Sequence, residues 1–155
     1  MDLFIKTVSL EDVDLDELRL LIEEIMPEAN QCYYNARNLT LRSNGKYSYY
    51  EGAIWQGSAN TPHAWNMLGD AIVDITPDIS GNNFCLGELR DAWRYAGMEF
   101  PLEVVKQKDN EVGGVKGKEF GHNTNESSLT LMNSEQRKEA MTAVLDEWMR
   151  SKFKK

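Results

Sequence analysis

Three residues, Cys32, His63 and Asp74, are of the types that together supply a nucleophile, its base and an acceptor that orients the base. A thiol becomes a strong nucleophile when an imidazole removes its proton, and a carboxylate on the second ring nitrogen holds that imidazole in place. Such a trio performs acyl transfer, in which the thiolate attacks an acyl carbon and water or an amine resolves the thioester. The residue types therefore raise the hypothesis of cysteine-based acyl transfer.

Cys32 lies at the beginning of a predicted helix. Asn30 is a good N-cap for this helix, which then shows one inner stripe at helical spacing, made of Cys32, Asn35, Ala36 and Leu39. The dipole and the unbonded N–H groups at a helix start favour a thiolate over a thiol. The alternative stays open that Cys32 is a small buried apolar residue, which is common for a cysteine on an inner stripe.

His63 and Asp74 lie on two predicted strands, 63–67 and 71–76, which form a hairpin with a turn at Gly69-Asp70. In the register that this turn imposes, His63 and Asp74 are diagonal neighbours on one face of the sheet, within reach of a hydrogen bond. A shift of one residue would place them on opposite faces. The hypothesis of a catalytic trio therefore depends on this register.

The other elements are predicted from periodicity, caps and turn residues. They are a helix over 9–26 capped by Ser9, a strand over 47–55, a loop over 57–62, a short helix over 86–95, a strand over 100–105, a mobile polar loop over 106–128, and a last helix capped by Ser134. Hairpin pairing without strand–helix–strand alternation favours antiparallel strands. The predicted fold class is α+β, a small antiparallel sheet with the Cys32 helix packed on one face and N- and C-terminal helices flanking it.

The length and charge of the chain exclude some classes of function. The chain of 155 residues fits one domain, 1–155, and carries 25 acidic against 17 basic residues, a net charge of -8. This balance argues against nucleic acid and anionic membranes as partners. We expect a cytoplasmic protein, because no secretory signal begins the chain and no apolar stretch approaches the roughly 18–20 residues of a membrane span.

The cysteine and histidine content predicts neither a metal nor another cofactor. The chain has two cysteines and two histidines, and these residues do not follow the spacing of a zinc site. In the cytoplasm a disulfide is not expected either. Cys85, which stands between Phe84 and Leu86, is predicted to be buried and inert.

Several short segments, within about residues 30–100, resemble the core of transglutaminase-like and papain-like cysteine enzymes, and of small bacterial and phage proteins with similar segments. These segments are Gln31-Cys32-Tyr33, Tyr50-Glu51-Gly52, His63-Ala64-Trp65-Asn66, Val73-Asp74-Ile75-Thr76-Pro77 and Tyr95-Ala96-Gly97-Met98-Glu99-Phe100. In that superfamily a cysteine on a helix precedes a histidine on a strand, often within His-Ala-Trp, and an aspartate follows on the next strand. The order in this chain is the same.

The resemblance implies a role for each residue of the trio. Cys32 would be the nucleophile, His63 the general base and acid, and Asp74 the residue that orients His63. The Cys32 backbone N–H would hold the oxyanion, with the side chain of Gln31 or Asn30 as a further donor. Two tryptophans, Trp65 and Trp55, would form apolar walls that exclude water, although either is equally suited to the core.

Three functions remain compatible with the sequence. The favoured function is a cysteine-dependent acyl-transfer enzyme that acts on a peptide or another amide-containing substrate, by hydrolysis or transamidation. The alternative is a non-catalytic acidic interaction protein, such as a phage-type inhibitor that binds a host protein with the same scaffold. The third is a structural or regulatory domain without an active site. The trio favours the enzyme, because an inhibitor has no need of it.

Overall fold

The computed structural model describes residues 4–6, 14–28, 31–55, 60–69, 71–76, 94–112 and 130–153. In chain order, its elements are β1 (Phe4–Lys6), α1 (Leu15–Ile25), α2 (Cys32–Arg42), β2 (Ser48–Trp55), β3 (Asn60–Leu68), β4 (Ala71–Val73), β5 (Arg94–Phe100), α3 (Leu102–Val112) and α4 (Ser134–Phe153). None of the helices in these ranges is long and apolar enough to cross a membrane.

The strands form one antiparallel sheet in the order β1-β5-β2-β3-β4. This sheet confirms the predicted α+β class, with α2 packed on one face and α1 and α4 as the flanking helices. β1 is an edge strand that no pattern in the sequence predicted.

The predicted hairpin register is confirmed. Asn66 stands opposite Val73 and Leu68 opposite Ala71, while Gly69 supplies the positive φ of 58° that the turn requires. Asp70, the second predicted turn residue, lies outside the described residues. β4 is shorter than the predicted strand over 71–76, so the chain leaves the sheet at position 74.

β3 begins earlier than predicted, because Asn60, Thr61 and Pro62 belong to the strand and not to a loop. Pro62 pairs with Ala53 of β2, but β4 reaches only as far as the position opposite Asn66. A proline is tolerated in a strand where its missing N–H faces no partner. Residues 56–59, the rest of the predicted loop, lie outside the described residues.

The predictions for residues 86–112 are mostly wrong where the structure describes them. Arg94 and Tyr95 begin strand β5 and do not end a helix, and 102–112 is helix α3 and not a strand followed by a loop. Phe100, which was predicted in a strand, is the last residue of β5. Pro101 ends the strand, and its carbonyl accepts the first helical bonds, from the N–H groups of Val104 and Val105. Residues 86–93 and 113–128 of these predictions lie outside the described residues.

The helix caps also differ from the predictions. α1 is capped by Asp14, whose carboxylate accepts the N–H groups of Asp16 and Glu17, whereas the predicted cap, Ser9, lies outside the described residues. α4 begins after Asn133, which forms a reciprocal capping pair with Gln136. The cap of α1 is thus an aspartate that follows the predicted serine, and the cap of α4 is an asparagine one residue before the predicted serine. Aspartate and asparagine are both strong N-cap residues.

The two faces of the sheet have different coverings. Residues directly opposite each other in the ladder share a face, so Tyr49, Glu51 and Ala53 of β2 lie on one face together with Asn66 of β3. Clusters on this helix-covered face join the strands to all four helices. The other face, which we call the aromatic face, carries His63, Trp65 and Tyr95. Its buried cluster, formed by Ile54, Trp65, Met67, Ile72 and Tyr95, includes no residue of the described helices.

Candidate active site

Cys32 is the first residue of α2, and its side chain is 8% exposed. α2 begins one residue later than predicted, because its N-cap is Gln31 and not Asn30. The predicted inner stripe is confirmed: Cys32, Asn35, Ala36 and Leu39 are all buried. As the first helical residue, Cys32 has a backbone N–H with no acceptor inside the helix.

Two buried amides fasten α2 to the hairpin. The Asn35 side chain donates to the Thr76 hydroxyl at 3.0 Å and to the Glu28 carbonyl at 2.8 Å. The Asn66 side chain donates to the Ala36 carbonyl at 2.9 Å. These bonds connect the first turns of the helix to both sides of the hairpin, so that the start of α2 is held beside His63.

His63 and Asp74 are bonded as the register predicts. The distance from His63 Nε2 to Asp74 Oδ2 is 2.8 Å, and the two residues are 8% and 2% exposed. Asp74 follows the last residue of β4, so its side chain is set by the end of the ladder and by its own hydrogen bonds.

Two further donors hold the Asp74 carboxylate. The Thr76 N–H donates to Oδ1 at 3.3 Å, and the Tyr95 hydroxyl donates to Oδ2 at 2.8 Å. Each carboxylate oxygen therefore has a donor besides His63. No role for Tyr95 was predicted from the sequence, because it stands at the end of the helix predicted over 86–95.

Cys32 lies close enough to the His63 ring to interact with it electrostatically. Since Nε2 is bonded to Asp74, Nδ1 is the nitrogen left for the thiol. Burial lowers the pKa of His63, but the charges of Asp74 and Cys32 and their hydrogen bonds raise it more strongly, to about 10. The imidazole is therefore protonated near neutral pH and places a positive charge beside the sulfur.

Trp65 packs along the imidazole on the aromatic face. Its ring is nearly parallel to that of His63, at 14° with centroids 6.3 Å apart, and meets Tyr95 edge-on at 5.0 Å. A Cβ on Gly97 would lie 2.6 Å from the Trp65 ring and 2.3 Å from the Glu51 carbonyl oxygen. The absence of a side chain at Gly97 thus makes room for the indole that supports His63.

The other residues predicted for the site differ in where they lie relative to Cys32, His63 and Asp74. Trp55 packs against Trp148 of α4, with ring centroids 4.7 Å apart, on the helix-covered face. The structure therefore does not bring Trp55 to the trio. Gln31 directly precedes Cys32 and is half-buried, whereas Asn30 and Cys85 lie outside the described residues.

A second buried carboxylate, Glu51, lies on the helix-covered face. Its oxygens accept the hydroxyl groups of Tyr49, at 2.6 Å, and of Thr130. They also accept the N–H groups of Leu131 and Met132 at 2.9–3.1 Å. Burial raises the pKa of Glu51, and these hydrogen bonds oppose that rise without cancelling it. Glu51 therefore ties the segment before α4 to the sheet.

Comparison with known proteins does not identify a relative. No protein-family model, no curated protein and no solved structure matches the chain. Within the described part of the chain, His, Cys, Asp and Glu side chains form no group of three or more that could hold a metal ion.

Proposed function

We propose that this protein is a cysteine-dependent acyl-transfer enzyme that acts on a peptide or another amide-containing substrate through Cys32, His63 and Asp74. One observation carries the proposal: His63 bonds Asp74 through Nε2 at 2.8 Å and interacts electrostatically with Cys32, the first residue of a helix. The resemblance of the segments around these residues to transglutaminase-like and papain-like enzymes supports the same chemistry.

The first half of the proposed reaction forms a thioester. The Cys32 thiolate attacks the carbonyl carbon, a C–S bond forms, and the carbonyl electron pair moves onto the oxygen. The Cys32 backbone N–H, unbonded within α2, is suited to stabilise that oxyanion. The imidazolium of His63 then gives its proton to the leaving amine as the C–N bond breaks.

The second half regenerates the thiolate. Neutral His63 takes a proton from water or from an acceptor amine, which attacks the thioester carbon, and the C–S bond breaks. Asp74 holds the ring orientation and stabilises the imidazolium in both halves. Water as acceptor gives hydrolysis and an amine gives transamidation. Because the thiol must stay reduced, we expect the enzyme to act in the cytoplasm.

The proposal is tested with iodoacetamide, which alkylates a thiolate as its C–I bond breaks. We expect Cys32 to react near neutral pH much faster than Cys85, with mass spectrometry locating the label. His63→Ala should slow Cys32 by about 10- to 100-fold without unfolding the domain, because the imidazolium is lost. Cys32→Ser, which removes the target, is the matched control.

An activated ester separates acyl transfer from simple thiol reactivity. p-Nitrophenyl acetate should give a burst of one nitrophenolate per protein and a thioester on Cys32, followed by slower release of acetate. The proposal fails if Cys32 is alkylated no faster than Cys85 and is indifferent to His63→Ala. The non-catalytic interaction protein would then be the better interpretation.

A further inference from the structure

Tyr95 contributes to the site from a strand that does not neighbour the hairpin. In the sheet, β2 and β3 separate β5 from β4. The Tyr95 hydroxyl nevertheless reaches Asp74 Oδ2 at 2.8 Å, the same oxygen that binds His63 Nε2 at 2.8 Å. Two donors therefore meet at one oxygen atom.

The backbone ladder does not fix this carboxylate by itself. β4 ends at Val73, so Asp74 is held by side-chain and turn contacts. Its Oδ1 accepts a bond of 3.3 Å from the Thr76 N–H. Tyr95 supplies a shorter bond, 2.8 Å, to the oxygen that also binds His63.

Tyr95 is itself rigidly placed. It is fully buried and stands opposite Ile54 in the ladder. Its ring lies edge-on to Trp65 at 5.0 Å and is tilted by 57° to His63 at 6.3 Å. A phenol held by strand pairing and by aromatic packing is a well-ordered donor.

We infer that Tyr95 is a positioning residue of this site: its hydroxyl fixes the Asp74 oxygen that orients His63 toward Cys32. This inference rests on the proposed function for its catalytic meaning. Tyr95 does not contact the reacting atoms and acts through Asp74.

The test is a double-mutant cycle of Tyr95→Phe with Asp74→Ala, read by the iodoacetamide rate at Cys32. Tyr95→Phe retains the ring and should slow alkylation about fivefold, because Asp74 loses one donor and keeps its bond to His63. In the Asp74→Ala background the same change should have no further effect, because the carboxylate through which it acts is gone. Equal effects in both backgrounds would show a purely structural role and overturn the inference.

Tyr47→Phe is the matched control. Tyr47 is also fully buried, but its hydroxyl has no hydrogen-bond partner among the described residues. This variant should leave the alkylation rate unchanged. A loss equal to that of Tyr95→Phe would again point to packing.

Proton NMR gives a readout that requires no reaction at Cys32. The Nε2-bound proton of His63 should give a downfield signal, assigned with His122→Gln because the chain has only two histidines. In Tyr95→Phe this proton should exchange with water faster, since one donor no longer holds its acceptor. An unchanged exchange rate overturns the inference, even if Cys32 proves unreactive and the proposed function fails.

The unaltered protein provides a second measurement in case Tyr95→Phe does not fold. The Tyr95 hydroxyl proton and the His63 Nε2 proton share one acceptor oxygen, so a nuclear Overhauser effect should connect them. The absence of this effect, with the His63 signal present, would overturn the inference.

Discussion

The two buried carboxylates, Asp74 on the aromatic face and Glu51 on the helix-covered face, have similar surroundings and different partners. Each is almost fully buried and accepts a tyrosine hydroxyl, from Tyr95 and Tyr49 respectively. The remaining donors to Glu51 are a threonine hydroxyl and backbone N–H groups, which do not titrate. Asp74 instead bonds the His63 imidazole, which interacts electrostatically with Cys32.

The hydrogen-bond partners separate a structural carboxylate from a candidate catalytic one. Burial and satisfied hydrogen bonds are common to both, so neither distinguishes them. What distinguishes Asp74 is that its partner is an imidazole, which can titrate, and that this imidazole adjoins the Cys32 thiol. Changes at Glu51 should therefore affect stability, whereas changes around Asp74 should affect reactivity and its dependence on pH.

The largest effect is expected for Glu51→Ala. Four donors lose their buried acceptor at once, so the free energy of unfolding should fall by about 3–5 kcal/mol. Urea denaturation followed by circular dichroism measures this loss, with Glu99→Ala at an exposed position of β5 as a control that changes stability by less than about 0.5 kcal/mol. The alkylation rate of Cys32 in the folded fraction should be unchanged; a large decrease would contradict the separation of the two regions.

Gly97→Ala should affect both regions, because the new Cβ would meet the Glu51 carbonyl on one side and the Trp65 ring on the other. We expect a loss of about 3 kcal/mol in urea denaturation, from overpacking against backbone, together with slower alkylation of Cys32 as Trp65 moves against His63. Gly69→Ala is the comparison. Its Cβ would have no neighbour within 4 Å, so only the positive φ should cost stability, by about 1 kcal/mol. Equal losses would argue against the close contact at Gly97.

Asp74→Asn should change the dependence of stability on pH. The pKa of His63 is raised from 6.5 in the unfolded chain to about 10 in the folded protein, so the ion pair contributes stability that is complete below pH 6.5 and is lost as the pH rises toward 10. Asparagine removes the charge, and the free energy of unfolding should decrease by about 2 kcal/mol at pH 6 and change little at pH 10. Urea denaturation across this range measures the difference.

His122→Gln controls for the second histidine in that experiment and should preserve the wild-type dependence on pH. A constant difference between Asp74→Asn and the wild type from pH 6 to pH 10 would contradict the raised pKa of His63.

The smallest effect is expected for Tyr49→Phe, the counterpart of Tyr95→Phe on the other face. It removes one of the several donors to Glu51, so stability should fall by about 1 kcal/mol while the alkylation rate of Cys32 stays unchanged. Measuring both variants by urea denaturation and alkylation compares the same chemical change at the two carboxylates. Because Cys32 and Tyr49 belong to the same buried cluster, a slower Cys32 in Tyr49→Phe would mean that the thiol depends on packing on the helix-covered face as well as on His63.

Local sequence determined the elements around Cys32, His63 and Asp74. The spacing of Cys32, Asn35, Ala36 and Leu39 predicted the buried stripe of α2, because a helix repeats every 3.6 residues. The glycine at position 69 predicted the turn and with it the register of the hairpin, since side chains alternate between faces along a strand. That register places His63 and Asp74 on one face, within reach of a hydrogen bond.

Predictions from local patterns failed for segments whose structure depends on contacts with elements distant in the chain. Arg94–Phe100 became a strand because it pairs with β1 and β2, and no nearby residue specifies those partners. Val104 and Val105 favour a strand by type, yet they belong to α3, where Val105 packs against α2. Tertiary burial overrides a weak local preference in such segments.

Residue types and local spacing specify the trio of side chains and the hairpin that brings two of them together. Three further contacts depend on the tertiary fold: α2 meets the hairpin at Cys32, Trp65 lies over Gly97, and Tyr95 shares an oxygen with His63. The physical reason is that each of these contacts joins elements distant in the chain. Their relative positions are set by the packing of the whole sheet and its helices, which no spacing within a single element encodes.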